Sequence, residues 1–299
     1  MSSEWITRNV LAPCEELAGL WESVILDAER KERLENQVLL SLSVRGKVPF
    51  SVSALHSLIL LHGPPGTGKT TLARGLAQRL SASTAAKRMR LIEVDPHGLM
   101  SAEHGQSQQR VTELLCETIP GLCDDGLPAI VLLDEVESMA VARSEASLAA
   151  NPADVHRATD AVLMALDRNA DGFPHIVTLA TSNFTRALDE AFRSRADLSL
   201  EIPLPDANAA EAIMREALRG FAVPFPALAE LAESPEIGAL APLLVGLDGR
   251  QIRKLVSEAI AMRREVVLDP DRLSAADLQR AAEQVRFQSI GTEVLDATA

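Results

Sequence analysis

The sequence has few of the residues that would mark a disulfide-bonded or zinc-binding protein. It contains three cysteines in 299 residues, Cys14, Cys116 and Cys123. Their number is odd and none belongs to a C-x-x-C pair, so neither a disulfide framework nor a zinc site is indicated. We expect the three side chains to act as small buried hydrophobic groups.

Basic clusters and long apolar runs are also scarce. The formal net charge is −13, and the short basic cluster at 87–90 is too small for a surface that binds nucleic acid through its phosphates. No apolar run approaches the roughly 18 residues that a membrane span needs, and the first residues do not resemble a secretory signal. We therefore expect no direct nucleic-acid partner, no membrane association and a cytoplasmic location.

A phosphate-binding pattern, G-x-x-x-x-G-K-[ST], occupies residues 63–70, directly after the apolar run 57–61. The glycines of such a loop let backbone N–H groups surround phosphates, the following helix points its positive end at them, and the lysine adds a charge. A solvated surface turn is the alternative, but the preceding strand and a helix predicted over 70–80 disfavour it. The residues predicted to bind the nucleotide are Gly63, Pro64, Pro65, Gly66, Thr67, Gly68, Lys69, Thr70 and Thr71.

Strands and helices alternate along the first two thirds of the chain. Apolar runs predict strands at 57–61, 90–94, 129–133, 175–181 and 198–202. Segments with helical spacing separate them, including one helix predicted at 20–42. This order is typical of an α/β fold with a parallel, doubly wound sheet between helices. The segments 95–106 and 143–153 are predicted to be loops.

After the prolines at 203 and 205 the strand pattern stops. Helices are predicted at 208–219, 227–233, 249–264 and 274–286. The expected organisation is a short N-terminal arm (1–18), a large α/β nucleotide-binding domain (19–203) and a small all-α lid domain (204–299) with a frayed tail from residue 291.

Two acidic residues, Asp134 and Glu135, follow the most apolar strand. In open α/β sheets ligands bind at the carboxyl ends of the strands, so Asp134 is predicted to hold Mg²⁺ together with Thr70, and Glu135 to polarise the attacking water. The alternative is an acidic turn that merely ends a strand, and the presence of a phosphate-binding loop in the same chain disfavours it. Asn183 follows the next strand and is a candidate to contact the γ-phosphate, with an N-cap as the alternative.

Three arginines are further candidates. Arg193 and Arg195 follow a short predicted helix, and nucleotide hydrolysis of this type often needs an arginine from a neighbouring subunit to stabilise charge on the transferring phosphoryl group. Arg250 lies in the first turn of a predicted helix, where a cation opposes the helix dipole unless a phosphate faces that turn. Solvated surface charges are the alternative for all three.

With these motifs in order, the chain resembles the AAA+ ATPases from about residue 20 to 286. Residues 63–70 look like the Walker A motif of that family and 130–135 like Walker B. Asn183 matches sensor 1, Arg195 the arginine finger and Arg250 sensor 2. The resemblance implies ATP and Mg²⁺ as cofactors and a homo-hexameric ring.

Within that superfamily the chain is most similar to the pachytene-checkpoint ATPases. The matching segments are 20–23, 134–138, 192–197 and 249–255. This resemblance implies a remodeller that engages a HORMA-domain protein in the central pore and converts its conformation. Bacterial relatives act with HORMA proteins and nucleotidyltransferases in antiphage signalling, which makes both classes expected partners.

The sequence departs from these relatives in two places. Only about 18 residues precede the matched region, where eukaryotic relatives have a substrate-binding domain, so we expect the ring or the short arm to engage substrate. The pore loop, expected between 96 and 106, has no aromatic residue, since none occurs between Phe50 and Phe173. The pore-loop residues are then Leu99, Met100, Glu103 and His104, of which Glu103 takes the aromatic position. Small and flexible side chains in place of an aromatic residue favour a protein that remodels short segments over a processive unfoldase.

Two other functions stay open from the sequence. One is a general unfoldase or a loader acting on a nucleic-acid complex, although the acidic charge opposes the nucleic-acid version. The other is a nucleotide-gated scaffold with little turnover, which would not need the water-activating carboxylate of Glu135.

Overall fold

The computed structural model describes residues 4–100, 107–142 and 153–296. The chain divides into two compact units. The first comprises Met1–Pro64 and Lys69–Ile202, and the second comprises Pro203–Ala299 together with Pro65–Gly68. Each unit is described below by itself.

The first unit contains a six-stranded sheet. Its strands are β1 (Ile6–Ala12), β2 (Leu58–His62), β3 (Met89–Val94), β4 (Ala129–Leu133), β5 (Ile176–Ser182) and β6 (Ala196–Glu201). Its α-helices are α1 (Leu20–Ser23), α2 (Ala28–Val44), α3 (Phe50–Ser53), α4 (Lys69–Ser81), α5 (Pro96–Met100), α6 (Ser107–Glu113), α7 (Ile119–Leu122), α8 (Ala153–Gly172) and α9 (Glu190–Ser194). A π-helical segment, Leu114–Thr118, joins α6 to α7.

The strand order across the sheet is β1-β3-β4-β5-β2-β6. The five strands from β2 to β6 are mutually parallel, as the alternation of strands and helices predicts, whereas β1 pairs antiparallel with β3. The parallel sheet predicted from five strands is confirmed, and β1 adds an antiparallel edge strand that the sequence did not predict. The fold is otherwise the predicted α/β architecture followed by helices.

Strand β1 lies inside the segment that we expected to be a free arm. Its seven residues run beside β3, and the Arg8 Nε donates a hydrogen bond to the Glu93 carboxylate at 3.1 Å. Glu93 is only 7% exposed and also accepts a hydrogen bond from Arg74 Nε at 3.0 Å. The local sequence pattern does not indicate these long-range contacts. For that reason the sequence predicted an arm here and not a strand.

Residues on opposite faces of the sheet enter two separate hydrophobic clusters. Leu58, Leu60, Val131 and Leu133 pack on one side with α6 and α8, while the alternating residues of β2 and β4 pack on the other side with α1, α2 and α4. A strand that is buried on both faces reads as a continuous apolar run. Burial of Cys116 and Cys123 agrees with their predicted role, and burial raises the pKa of Cys123 to about 11.

Several helix boundaries differ from those predicted. The helix expected at 20–42 is two helices, because the Asp27 side chain accepts the Arg30 N–H at 2.8 Å and so caps a new helix at Ala28. The segment after β3 begins with the short helix α5 rather than an irregular loop. Most of the loop predicted at 143–153 lies outside the described residues, and α8 already includes Ala153.

The second unit is all-helical within its described residues. Its α-helices are α10 (Ala207–Ala222), α11 (Ala227–Glu233), α12 (Pro235–Leu244), α13 (Gly249–Ala261), α14 (Arg264–Leu268) and α15 (Ala275–Asp296). The sequence missed α12, which begins with Pro235 after the N-cap Ser234 and contains a second proline, Pro242. It also predicted a frayed tail where α15 extends to Asp296. No helix in the described ranges is long and apolar enough to cross a membrane.

A buried arginine, Arg45, connects the end of α8 to the rest of the first unit through hydrogen bonds. The Arg45 guanidinium is 9% exposed and donates to the carbonyl oxygens of Asn169 (2.6 Å), Ala170 (2.9 Å) and Ile176 (2.6 Å). The carbonyls of Asn169 and Ala170 lie in the last turn of α8, where carbonyl groups have no partner within the helix, so the guanidinium supplies these acceptors with charged donors. Burial lowers the pKa of Arg45, and the Asp197 carboxylate opposes that shift.

Replacing Arg45 with methionine should destabilise the first unit, because several buried carbonyls lose their donor. We expect a loss of about 3 kcal/mol and a fall of roughly 10 °C in the midpoint of thermal unfolding, measured by circular dichroism. Arg33→Met is the matched control, because Arg33 is exposed on α2, the helix that Arg45 directly follows. Equal melting temperatures for the two variants would contradict this role of Arg45.

Candidate functional site

The carboxyl ends of three adjacent parallel strands bring the predicted polar residues together. Strand β5 pairs on one side with β4, with Leu133 opposite Ala180, and on the other side with β2, with His62 opposite Ser182. Asp134, Asn183 and the loop that begins at Gly63 each follow directly at the end of one of these strands. The sheet therefore places Asp134, Asn183 and the start of the loop at Gly63 side by side.

The loop after β2 needs glycine where it leaves the sheet. Gly63 has φ +144°, and a Cβ atom there would collide with the carbonyl of Ile202. The Lys69 side chain is 6% exposed and turns back to this loop, where its Nζ donates to the carbonyl oxygens of Gly63 (2.9 Å) and Pro64 (2.8 Å). The ammonium group thus lies inside the turn that the sequence predicted to surround phosphates. Thr71 lies in the first turn of α4.

Two hydroxyl groups meet the Asp134 carboxylate. Thr70 Oγ1 donates to Asp134 Oδ1 at 2.7 Å, and Thr181 Oγ1 donates to the same oxygen at 2.6 Å. Hydroxyl and carboxylate oxygens are the hard ligands that Mg²⁺ prefers. The adjacent Thr70 and Asp134 oxygens therefore fit the predicted Mg²⁺ site.

Glu135 adopts a backbone conformation that is uncommon for a residue with a side chain. Its φ and ψ are +53° and +51°, in the left-handed region, which costs roughly 1 kcal/mol or more unless the surroundings hold it. Its N–H donates to Thr181 Oγ1 at 2.9 Å. This turn leaves the Glu135 side chain exposed at the end of the sheet, where Asn183 Nδ2 donates to its Oε1 at 3.2 Å.

Asn183 connects the two sides of the site. Its Oδ1 accepts a hydrogen bond from Lys69 Nζ at 2.8 Å, while its own amide group reaches Glu135. Its backbone N–H donates to Glu137 Oε1 at 3.1 Å. The alternative role of Asn183, a helix N-cap, is not seen, because its side chain contacts Lys69 and Glu135.

Sequence reasoning missed two residues of this cluster, Thr181 and Glu137. Both lie within segments that the sequence singled out, 181–183 and 134–138, but neither was given a role. A signal was present for Thr181, since parallel alignment of the two predicted strands puts the residue after Leu133 beside the residue after Ala180. Glu137 offered none, because its contact with the Asn183 N–H depends on the 3₁₀ turn Val136–Ser138.

Arg193, in the last turn of α9, and Arg195, directly after it, differ in their surroundings. Arg195 forms a two-pronged ion pair with Asp167 of α8, with Nε to Oδ1 at 2.7 Å and Nη2 to Oδ2 at 2.8 Å. This pairing lowers the pKa of Asp167 and raises that of Arg195. Arg193 is exposed and forms no ion pair with any residue in the described ranges. Both arginines belong to the first unit.

Arg250 belongs to the second unit, in the first turn of α13, and its side chain is exposed. Within this unit its backbone N–H donates to the carbonyl of Gly66 at 3.3 Å. Gly66 has φ +76°, and any side chain there would collide with the carboxylate of Asp248, the N-cap of α13. A glycine is therefore required at this point of the phosphate-binding loop.

The predicted pore-loop residues are only partly described. Leu99 is fully buried in α5 and packs into the core of the first unit. Its expected role as an exposed grip is therefore wrong in this structure, because its side chain faces the sheet. The side chain of Met100 and the residues Glu103 and His104 lie outside the described part of the chain.

Known proteins resemble this chain over nearly its whole length. The family model described as "ATPase family associated with various cellular activities (AAA)" matches residues 59–204. CD-NTase-associated protein 6 of Pseudomonas aeruginosa is 46% identical over 286 residues, which are 95% of this chain and 94% of that protein. The pachytene checkpoint protein 2 homolog of Arabidopsis thaliana is 38% identical over 217 residues, 71% of this chain and 45% of the relative. This chain thus matches about half the length of the pachytene checkpoint relative.

Two solved structures have the same fold. The "Structure of E. coli MS115-1 HORMA:CdnC:Trip13 complex" aligns with a TM-score of 0.73 at 18% identity and covers 93% of this chain and 95% of the matched chain. The "Structure of C. elegans PCH-2" aligns with a TM-score of 0.69 at 24% identity, and the alignment covers 95% of this chain and 75% of the matched chain. The family model and the sequence relatives show that the chain belongs to the AAA ATPase family, in the branch that contains CD-NTase-associated protein 6 and the pachytene checkpoint proteins.

Proposed function

We propose that this protein is an ATP-hydrolysing remodeller that changes the conformation of a HORMA-domain protein. The observation that supports it best is the cluster of Lys69, Thr70, Asp134, Glu135 and Asn183 at adjacent strand ends of an AAA ATPase. A charged donor, a carboxylate with a neighbouring hydroxyl, and an exposed carboxylate are what phosphoryl transfer to water requires.

In this proposal the phosphates of ATP are bound by the backbone N–H groups of the loop and by Lys69. Thr70 and Asp134 would hold Mg²⁺, which when bound neutralises charge on the phosphates. Glu135 accepts a proton from the attacking water, and its exposed side chain beside Asn183 suits that task. Asn183 positions the water or the γ-phosphate, and Arg250 of the helical unit would bind a phosphate.

Arg195 is proposed to act on the nucleotide of a neighbouring subunit, which implies a homo-hexameric ring. Its guanidinium is held by Asp167, and its side chain keeps 22% of its surface exposed. A rigidly held arginine costs less conformational entropy to use than a free one. ATP binding would then be a property of one chain and hydrolysis a property of the ring.

The proposed partners follow from the relatives. One structural neighbour comes from a HORMA:CdnC:Trip13 complex, and one sequence relative is named as CD-NTase-associated. By analogy we propose a HORMA-domain substrate, with a nucleotidyltransferase bound to it, in cytoplasmic antiphage signalling. Substrate would be gripped by the segment that contains Met100, Glu103 and His104, without an aromatic side chain.

Glu135→Gln should retain ATP and lose turnover, because the amide cannot accept a proton from water. Lys69→Ala should instead weaken ATP binding, because the phosphates lose a buried cation. Turnover is measured by phosphate release and binding by calorimetry in the presence of Mg²⁺. Full turnover by Glu135→Gln would contradict the assignment of Glu135.

Arg195→Ala should lower ATP turnover by about 10³-fold while ATP affinity stays near that of the unmodified protein. Arg193→Ala is the matched comparison, since it removes an exposed arginine two residues away. Mixing Arg195→Ala with Glu135→Gln subunits should restore part of the turnover, since each ring would contain intact interfaces. Unchanged turnover of Arg195→Ala in the assembled ring would rule out action in trans.

The partner is tested with the Glu135→Gln variant, which should trap substrate when ATP is bound. Co-purification of a HORMA-domain protein from the native host, dependent on ATP and lost in Lys69→Ala, is the expected result. Rapid unfolding of an unrelated, stably folded protein carrying a threading tag would favour a general unfoldase. Salt-sensitive binding of DNA would favour a loader, and absence of turnover with the HORMA partner present would favour a scaffold.

A further inference from the structure

We propose that Thr181 is a positioning residue for ATP hydrolysis, whose hydroxyl sets the positions of both acidic residues, Asp134 and Glu135. The inference rests on the proposed function, because it takes Asp134 as the Mg²⁺-binding carboxylate and Glu135 as the proton acceptor. It adds a residue to that site which belongs to none of the recognised motifs.

The Thr181 hydroxyl uses both of its hydrogen-bonding capacities on these neighbours. It donates to Asp134 Oδ1 at 2.6 Å and accepts the Glu135 N–H at 2.9 Å. A hydroxyl has one proton to give, so its donation to the carboxylate leaves its lone pairs for the amide. The hydroxyl can therefore form both hydrogen bonds at once. One side chain orients the Asp134 carboxylate and the backbone of Glu135.

Thr181 is anchored far more firmly than the residues that it contacts. It is 1% exposed, lies within β5, and pairs with Leu61 of β2. Asp134 and Glu135 instead follow the end of β4, where the sheet ladder no longer holds the chain. The hydroxyl thus connects a turn at the end of the sheet to a central strand.

The hydrogen bond from the Glu135 N–H to Thr181 stabilises an uncommon backbone conformation at Glu135. A residue with a side chain seldom adopts the left-handed conformation seen there, and the Glu135 N–H has left the hydrogen-bonding pattern of the strands. Its acceptor is the Thr181 hydroxyl. Without that acceptor we expect the turn to relax toward ordinary φ values, which would swing the Glu135 carboxylate away from Asn183.

Thr70 also donates to Asp134 Oδ1, but its role is different. Its hydroxyl is a candidate ligand of Mg²⁺, whereas Thr181 lies within β5 and its hydroxyl is bonded to Asp134 and to the Glu135 N–H. Removal of the Thr181 hydroxyl should therefore disturb the placement of the carboxylates without removing a group that contacts ATP or Mg²⁺.

The experiment compares Thr181→Val, Thr181→Ser and Thr178→Val in the full chain. Valine keeps the shape of threonine and removes the hydroxyl, and serine keeps the hydroxyl. Thr178 is the matched control because it lies in the same strand, is 8% exposed, and its side chain forms no hydrogen bond with a described residue. Thermal unfolding is measured for all three variants.

We expect Thr181→Val to lower kcat for ATP hydrolysis by about 10- to 100-fold, the usual loss for a group that orients metal ligands, with KM for ATP changed only slightly. Thr181→Ser should recover most of the rate, and Thr178→Val should match the unmodified protein. Two further measurements do not depend on turnover. In the Glu135→Gln background, Thr181→Val should raise the Mg²⁺ concentration needed for tight ATP binding. In the protein without nucleotide, amide hydrogen exchange at Glu135 should be faster.

A Thr181→Val variant with normal kcat and normal exchange at Glu135 would overturn the proposal. So would equal losses of rate and melting temperature in Thr181→Val and Thr178→Val, which would indicate general packing damage. Failure of the proposed function has a different signature: full turnover by Glu135→Gln would remove Glu135 from the reaction whatever Thr181→Val does. Loss of turnover in Glu135→Gln with an unaffected Thr181→Val would overturn only the role of Thr181.

Discussion

The parallel pairing of β4, β5 and β2 is the constraint on which the rest of the site depends. Backbone hydrogen bonds align the ends of these strands, so Asp134, Asn183 and the Gly63 loop emerge at one edge. Close packing against both faces then holds the register, because a slip by one residue would exchange side chains of different shape between two tightly packed clusters. The polar site is thus positioned by an apolar core that contains none of its functional groups.

A small hydrogen-bond network refines that alignment at the edge of the sheet. Thr181 holds the Asp134 side chain and the Glu135 backbone, and Glu137 holds the backbone of Asn183. Lys69 then joins the loop to Asn183. Each contact has a donor matched to an acceptor, which is the condition under which a partly buried polar cluster gives a defined geometry. The proposed chemistry needs such geometry, since positioning and charge supply most of the catalysis in phosphoryl transfer.

Much of the first unit could be predicted because its signals are local. Five apolar runs correspond to β2–β6, and the phosphate-binding loop follows its strand as expected. Strand β1 could not be predicted, because it pairs with β3, and the paired residues are distant in sequence: Arg8 and Glu93 are 85 residues apart in the chain. The burial of Leu99 was missed for a similar reason: α5 turns this residue toward a core built from distant strands.

The sequence by itself determined the family of the protein, the order of the strands β2–β6, and the identity of Lys69, Asp134, Glu135 and Asn183 as candidate residues. These depend on residue type and on spacing along the chain, both of which can be read directly from the sequence. Only the tertiary structure decided which oxygen of Asp134 receives two hydroxyl groups, that Glu135 adopts a left-handed backbone, and that Asp167 holds Arg195. Those features depend on side chains from separate strands and helices meeting within about 3 Å, a distance that residue spacing along the chain does not encode.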